Sequence, residues 1–286
     1  MPKLTPDAPK NLFKKIILMG DSGTGKTGAL ISLALAGYNI YIADFDGQAE
    51  EVIRGILAGK LTAKKDPISK ATHDEALSKF DIEVFTDKSA IVGGKPKVIA
   101  ATAWTGAMKQ LNTWSRSGLT NRDVIVIDSL TFASKAAAHN YLQLSSKLNK
   151  SDELDWNDYN PVQNSIASLL ALLYSPAVSA NVIVNAHIDI VEIRADFGAK
   201  DSKGRPELEV VDTKALPKSI GKALAGSIPT YFNTSLVCKS FGPETSRKRF
   251  IFTRPVGLVD TKTPYKNLPD KLPIETGLAT FFETSL

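Results

Sequence analysis

Three observations in the sequence predict an α/β fold with a mostly parallel central β-sheet flanked by helices. Short apolar runs recur at residues 13–19, 39–43, 124–127 and 181–185, and the run at 124–127 is unbroken, as in a strand buried on both faces. Helix-like stretches alternate with these runs, the order that builds parallel strands with crossovers. A glycine-rich turn at residues 20–27 joins the first run to a helix.

The elements follow in order. Residues 1–11 carry three prolines and no periodicity, which predicts a flexible N-terminal arm. A strand at 13–19 leads through the turn to a helix at 28–35, closed by Gly37. The strand at 39–43 ends at Asp44, Phe45, Asp46 and Gly47, and a helix is expected at 48–57. Residues 59–98 are polar and Lys-rich, an insertion or an elaborated edge with a strand at 81–85. Helices at 100–116 and 130–147 flank the strand at 124–127. An acidic loop at 149–160 precedes a helix at 161–173, with Pro161 near its start. The strand at 181–185 is followed by a charged, glycine-containing stretch at 188–206, expected to be a mobile loop. Strands are expected at 235–239 and 249–253, and a proline-punctuated tail at 256–286 with an amphipathic end at 278–282. The implied organisation is an arm at 1–11, a core at 12–255 and a tail at 256–286.

Composition narrows the class. Charged residues at 23% and hydrophobic residues at 43% are ordinary globular usage. The net charge of +5 permits a nucleic-acid partner without demanding one. The lone Cys238 excludes an internal disulfide and a Cys-rich zinc site. The N-terminus lacks the apolar core of a signal peptide, and no stretch reaches the roughly 18 apolar residues of a membrane span. A cytoplasmic protein with no membrane partner is the expectation.

Gly20, Asp21, Ser22, Gly23, Thr24, Gly25, Lys26 and Thr27 match the eight-position phosphate-binding loop in full, between a strand and a helix. Backbone N–H groups in such a loop turn inward around phosphate oxygens, and the helix N-terminus adds partial positive charge. Lys26 is placed to reach the β- and γ-phosphates of ATP and Thr27 to hold Mg²⁺. Asp128, after four apolar residues, ends a buried strand at the edge where open parallel sheets bind ligands, so it is the second candidate on the metal. Asp46 and Asp44 both end the strand after the loop helix; Asp46 is the first choice to orient the attacking water, and helix capping is the alternative for both. His187, after the strand at 181–185, is positioned to sense the γ-phosphate. No base-reading motif separates ATP from GTP.

Residues 20–27, 41–47, 124–129 and 182–187 together resemble the RecA-type ATPase core, a RecA-like P-loop NTPase fold, over residues 12–255. Trp156 to Tyr159 before a helix, and Ala186 with His187 after a strand, resemble the phage nucleotide-binding proteins of the single-strand annealing and recombination type within it. The resemblance implies that Asp46, where RecA itself has Glu, activates water and that His187 couples the γ-phosphate to a DNA-binding loop. That loop would be residues 188–206, with Arg194, Lys200, Lys203 and Arg205 available for phosphates. It also implies that Arg254, then Arg249, reaches a neighbouring subunit's nucleotide in a homo-oligomeric ring or filament on single-stranded DNA. Against DNA stand Asp152, Glu153, Asp155 and Asp158 in the loop at 149–160, since acids repel phosphates. A helicase loader or a phage packaging or assembly ATPase would share the same nucleotide site.

Overall fold

The structure is a computed structural model that describes residues 13–59, 70–148, 153–200, 206–243 and 246–284. The expected arm at 1–11, and Lys203 and Arg205, lie outside the described residues.

The chain runs β1 (Lys15–Met19), α1 (Lys26–Leu35), β2 (Asn39–Asp44), α2 (Ala49–Leu57), α3 (Lys70–Leu77), β3 (Phe80–Val84), β4 (Lys88–Val92), β5 (Lys95–Ala100), α4 (Ala103–Arg116), β6 (Asp123–Asp128) and α5 (Leu130–Leu144). It continues with α6 (Tyr159–Tyr174), β7 (Asn181–Ala186), β8 (Ile188–Lys200), β9 (Pro206–Pro217), α7 (Lys222–Ala225), β10 (Thr234–Phe241), β11 (Lys248–Phe252), β12 (Lys271–Pro273) and α8 (Gly277–Glu283). Eight strands form one sheet in the order β12-β11-β10-β1-β7-β6-β2-β3. From β10 to β3 every neighbouring pair is parallel, and β11 and β12 close the other edge antiparallel.

The apolar runs explain this layout. β1, β6 and β7 are buried along their whole length, so each needs cover on both faces. One face packs Ile125, Ile127, Val182 and Val184 against α4, α5 and α6. The other packs Ile16, Leu18, Ile40, Ile42, Val124 and Val126 against α1, α2 and α8. All parallel strands point their carboxyl ends at one edge, where the chain leaves β1, β2, β6 and β7 into polar residues.

Four expectations change or gain detail. Within 188–206, expected as a mobile loop, residues 188–200 and 206 instead lie in the two-stranded antiparallel hairpin β8–β9, and 201–205 lie outside the described residues. Charge content pointed to a loop, but apolar and charged residues that alternate along 188–193 and 207–215 carry a strand signal. In the expected acidic loop, Asp155 and Asp158 form a reciprocal capping box around a 3-10 turn at Trp156–Asp158, and α6 starts at Tyr159. Residues 59–98 elaborate an edge: β3 extends the sheet and β4–β5 is a separate hairpin. Residues 256–286, expected as a tail, supply β12 to the sheet and α8 to the core.

α8 seals the loop helix. Leu278, Phe281 and Phe282 are buried in the α1 face of the sheet. Lys14 Nζ donates to Phe281 O at 2.8 Å and Thr284 O at 2.9 Å, at the end of α8. The ammonium also lies 4.5 Å from the Tyr265 ring centroid and 5.0 Å from that of Phe281. Phe281→Ala would cost about 3–5 kcal/mol, by the usual cost of emptying such a site. Among the described residues no helix is long and apolar enough to cross a membrane.

Candidate nucleotide site

The loop after β1 is held from behind. Gly20 N–H donates to Ala186 O at 3.1 Å, joining the loop to β7. A Cβ on Gly20 would stand 2.6 Å from Thr24 Oγ1 and 2.7 Å from Cys238 O, so only glycine fits. Gly25 has φ +94, and a Cβ there would meet Arg249 Cδ at 2.9 Å. Cys238, fully buried beneath the loop, has its thiol pushed up to about 12 by burial, which leaves it an inert packing group.

Lys26 is buried, and its Nζ donates to Gly20 O at 2.7 Å and Asp21 O at 2.9 Å. Burial lowers its pKa, while Cys238, Asp128, Asp21 and Asp46 act in the opposite direction. The ammonium thus sits inside the loop on neutral carbonyls, partners that an anionic phosphate outcompetes. Thr27 Oγ1 donates to Asp128 Oδ2 at 2.6 Å. Asp128 is buried, which raises its pKa, while the hydrogen bond from Thr27 favours its charged form.

The two acids after β2 separate clearly. Asp44 is 0% exposed and accepts from the N–H groups of Asp46, Gly47 and Ala49 at 3.1, 2.9 and 2.9 Å. It ties down the entry to α2, the capping alternative weighed above. Burial pushes Asp44 up to about 6 against the pull of those N–H groups. Asp46 is half-buried, uses Oδ1 to accept from Gln48 N–H at 3.0 Å, and contributes to the field at Lys26.

His187 leaves β7 half-buried, its ring edge-on to Phe132 at 6.1 Å between centroids. Burial lowers its pKa, helped by Lys26 and Lys218, so the ring is neutral at pH 7. Its N–H donates to Thr131 Oγ1 at 3.2 Å, and its C=O accepts from Lys218 N–H at 2.7 Å. Thr131 Oγ1 in turn donates to Lys218 O at 3.1 Å. Residue 187 starts one leg of the β8–β9 hairpin and residue 218 ends the other, so Thr131, in the first turn of α5, fastens both. Ser134 and Ser219 hydroxyls, 3.2 Å apart, add a second fastening. Exposed Ile190, Ile193, Val210 and Val211 give the hairpin an aliphatic surface. Arg194 and Lys200 lie on β8.

The arginines lie apart from one another. Arg249 Nε donates to Gly23 O at 3.0 Å, so the runner-up for a neighbour's nucleotide touches the loop of its own chain. Arg254, the first choice, is not at its own loop: Nη2 donates to Lys266 O at 3.2 Å and Nε pairs with Asp270 at 3.5 Å.

Sequence reasoning passed over Asn185, Ser129 and Thr131. Asn185 had a signal, an amide at the carboxyl end of a buried strand; Ser129 and Thr131 had none beyond following Asp128. The Asn185 amide atoms and Ser129 Oγ are buried without a hydrogen-bond partner beside Asp128. With the Thr27 hydroxyl and Asp128 carboxylate these are hard oxygen donors plus polar groups able to bind water, which fit a hydrated Mg²⁺. Among the described residues no cluster of three or more His, Cys, Asp or Glu could hold a metal ion.

The sequence profile of a family described as AAA domain (AAA_24) matches residues 12–265. No curated protein matches the sequence. Among solved structures the chain is similar to a KaiC-like protein from the hyperthermophilic archaeon Pyrococcus horikoshii OT3, at 13% identity and a TM-score of 0.46, over 91% of this chain and 84% of that one. It is similar to the RadB recombinase at 13% identity and a TM-score of 0.44, over 93% and 90%. It is similar to an ATPase from the type III secretion system of pathogenic bacteria at 15% identity and a TM-score of 0.40, over 80% and 52%. With its complete phosphate-binding loop at the end of a strand in a mostly parallel sheet, the chain belongs to this AAA domain family and is a P-loop ATPase.

Proposed function

We propose that the protein is a Mg²⁺-dependent ATPase that acts on single-stranded DNA in phage recombination or replication, as a homo-oligomeric ring or filament in the cytoplasm of the host. The observation that carries the reading is the 2.6 Å bond between Thr27 Oγ1 and Asp128 Oδ2 beside the buried Lys26. It brings together the three side chains that phosphoryl transfer from ATP needs on the protein side.

The loop N–H groups and the N-terminus of α1 bind the phosphates of ATP. Lys26 exchanges the carbonyls of Gly20 and Asp21 for the β- and γ-oxygens. Thr27 and Asp128 would hold Mg²⁺, which would supply positive charge to offset that of the phosphates. Asp46, with one carboxylate oxygen not used on Gln48, orients the attacking water; the γ-phosphoryl passes to that water and ADP leaves. Neutral His187 donates to or accepts from the γ-phosphate environment, and its backbone passes the state to the hairpin. Arg194 and Lys200 of that hairpin, together with Lys203 and Arg205, contact DNA phosphates. Arg254 acts across a subunit interface, and Arg249 acts on its own nucleotide.

The hairpin's exposed aliphatic residues favour a second reading, a helicase loader or other phage assembly ATPase with a protein partner. ATP hydrolysis with and without single-stranded DNA, at two salt concentrations and with Lys26→Ala as control, separates the two. Stimulation that falls with salt and is lost in the control supports the DNA-dependent enzyme. Hydrolysis indifferent to DNA overturns it in favour of the protein-partnered ATPase.

A further inference from the structure

Two hairpins, β4–β5 and β8–β9, stand apart from the main sheet, and each pairs only with itself. A two-stranded hairpin is marginal in water unless something packs on its apolar residues. Cross-strand partners share a face, so the register shows what each hairpin presents. In β4–β5, Ser89 stands opposite Val98, and Val98 packs on Ala101, Leu142 and Leu148, so that face turns to the body of the protein. The pairs Lys88–Ala100, Ala90–Lys97 and Val92–Lys95 build the other face. It gathers three lysines around Val92, which is 54% exposed, and the hairpin contains no acid. In β8–β9, Ile190 stands opposite Ala215, which is buried in the core. The pairs Asp189–Leu216, Val191–Lys214, Ile193–Asp212 and Ala195–Glu209 build the other face. Asp189, Glu209 and Asp212 are exposed there with Ile193; the one base in these pairs is Lys214, 3.8 Å from Asp212. One chain thus carries a lysine-and-aliphatic strand face and an acid-and-aliphatic strand face. Neither suits a copy of itself, because like charges would meet. DNA suits the lysines but is repelled by the acids and gains nothing from Val92 or Ile193.

We propose that these faces are the two halves of one interface: the β4–β5 hairpin of one copy of the chain docks on the β8–β9 hairpin of the next, lysines to acids and Val92 to Ile193. Charge complementarity within a single sequence is what names a second copy as the occupant. Each copy uses a different face toward each neighbour, so the contact repeats head to tail, as a ring where the rotation closes and as a filament where it does not. The inference rests on the homo-oligomer of the proposed function and gives that oligomer its interface.

The test is sedimentation velocity of the full chain across a range of concentrations, with and without Mg²⁺ and ATP. It compares wild type, Lys88→Glu with Lys95→Glu, Asp189→Lys with Glu209→Lys, and an equimolar mixture of the two double variants. Each double variant alone should need about tenfold more protein, or above, to assemble as wild type does. The mixture should assemble at the wild-type concentration, because the two reversed faces complement each other and the two untouched faces still do. All four altered residues are on hairpin surfaces, and circular dichroism checks the fold. Lys88→Gln with Lys95→Gln, and Asp189→Asn with Glu209→Gln, serve if a reversed variant does not fold, and should weaken assembly several-fold. Folded variants that assemble like wild type, or that dissociate without recovery in the mixture, overturn the proposal. So do β4–β5 variants that assemble normally but lose binding of a fluorescent single-stranded oligonucleotide, which makes that hairpin a DNA surface. Wild type that stays monomeric at every concentration overturns the homo-oligomer itself; wild type that assembles while the variants match it removes this interface alone.

Discussion

The nucleotide site and the β8–β9 hairpin stand at the same edge of the sheet and are built in opposite ways. In the site, Lys26, Asp44 and Asp128 are buried, each is hydrogen-bonded within the chain, and the strands beneath them are covered on both faces. In the hairpin the two strands pair with each other alone, and Ile190, Val210 and Val211 face outward. The candidate phosphate and metal residues thus all come together within one chain. The hairpin carries exposed apolar residues beyond a base where Ala215 is buried, and it meets the sheet edge at the neck of His187, Thr131 and Lys218. Chemistry needs fixed geometry and gets it from the sheet; the hairpin is fixed only at its base.

The hardest blow to the site half of that contrast is Lys26→Ala. Removing a preorganised charge from a phosphate site lowers hydrolysis by about 10²–10³-fold, read from phosphate release, while the fold persists by circular dichroism. Arg249→Ala should lower hydrolysis by about tenfold, the scale of a hydrogen bond to a charged group. Because Arg249 touches its own loop, mixing Arg249→Ala with Lys26→Ala subunits should recover no activity beyond the sum of the parts; recovery would place Arg249 at a neighbour's nucleotide instead.

Thr131→Val addresses the neck. It keeps the shape and removes both hydrogen bonds of the hydroxyl, about 1 kcal/mol of backbone fastening. Hydrolysis without a partner should stay within about twofold, and stimulation by whichever partner the hairpin binds should fall several-fold. Equal losses in both would show the neck to be part of the site rather than a link.

The smallest effect concerns the sheet itself. Burial pulls Lys15, which donates to Val178 O at 3.0 Å, down to about 8 from its ordinary 10.5. Below pH 8 the ammonium is charged in both folded and unfolded chains, and its desolvation cost is constant. Between pH 8 and 10.5 the unfolded chain binds more protons, so stability rises with pH. Denaturant titrations should therefore show wild type gaining on Lys15→Met as pH climbs from 8 to 10; a constant gap would contradict the shift.

What the sequence disclosed follows the same division. Gly20 to Thr27 were legible because backbone that wraps a phosphate tolerates few residue types, and Asp128 because four apolar residues announce a buried strand before it. The choice between Asp44 and Asp46 was not legible, since both end the same strand; only the three N–H groups around Asp44 separate them. Asn185 was hidden because its meaning depends on Asp128, 57 positions earlier, standing level with it on the next strand. The hairpin read as loop because its charges outweighed its alternation, and α8 read as tail because its partner, α1, lies near the other end of the sequence.

The place of β1 in the sheet sets a timetable. The two neighbours of this strand are β7 and β10, both far later in the chain, and residue 234 follows residue 19 by 215 positions. At 5–20 residues per second, that separation is roughly ten to forty seconds of synthesis. Until β7 is made, 167 positions after residue 19, the apolar Ile16, Ile17 and Leu18 have no strand on either side, and α1 lacks the cover of α8 for longer still. The nascent chain is then a client for chaperones that hold short apolar segments, and the nucleotide site becomes one of the last parts of the protein to exist.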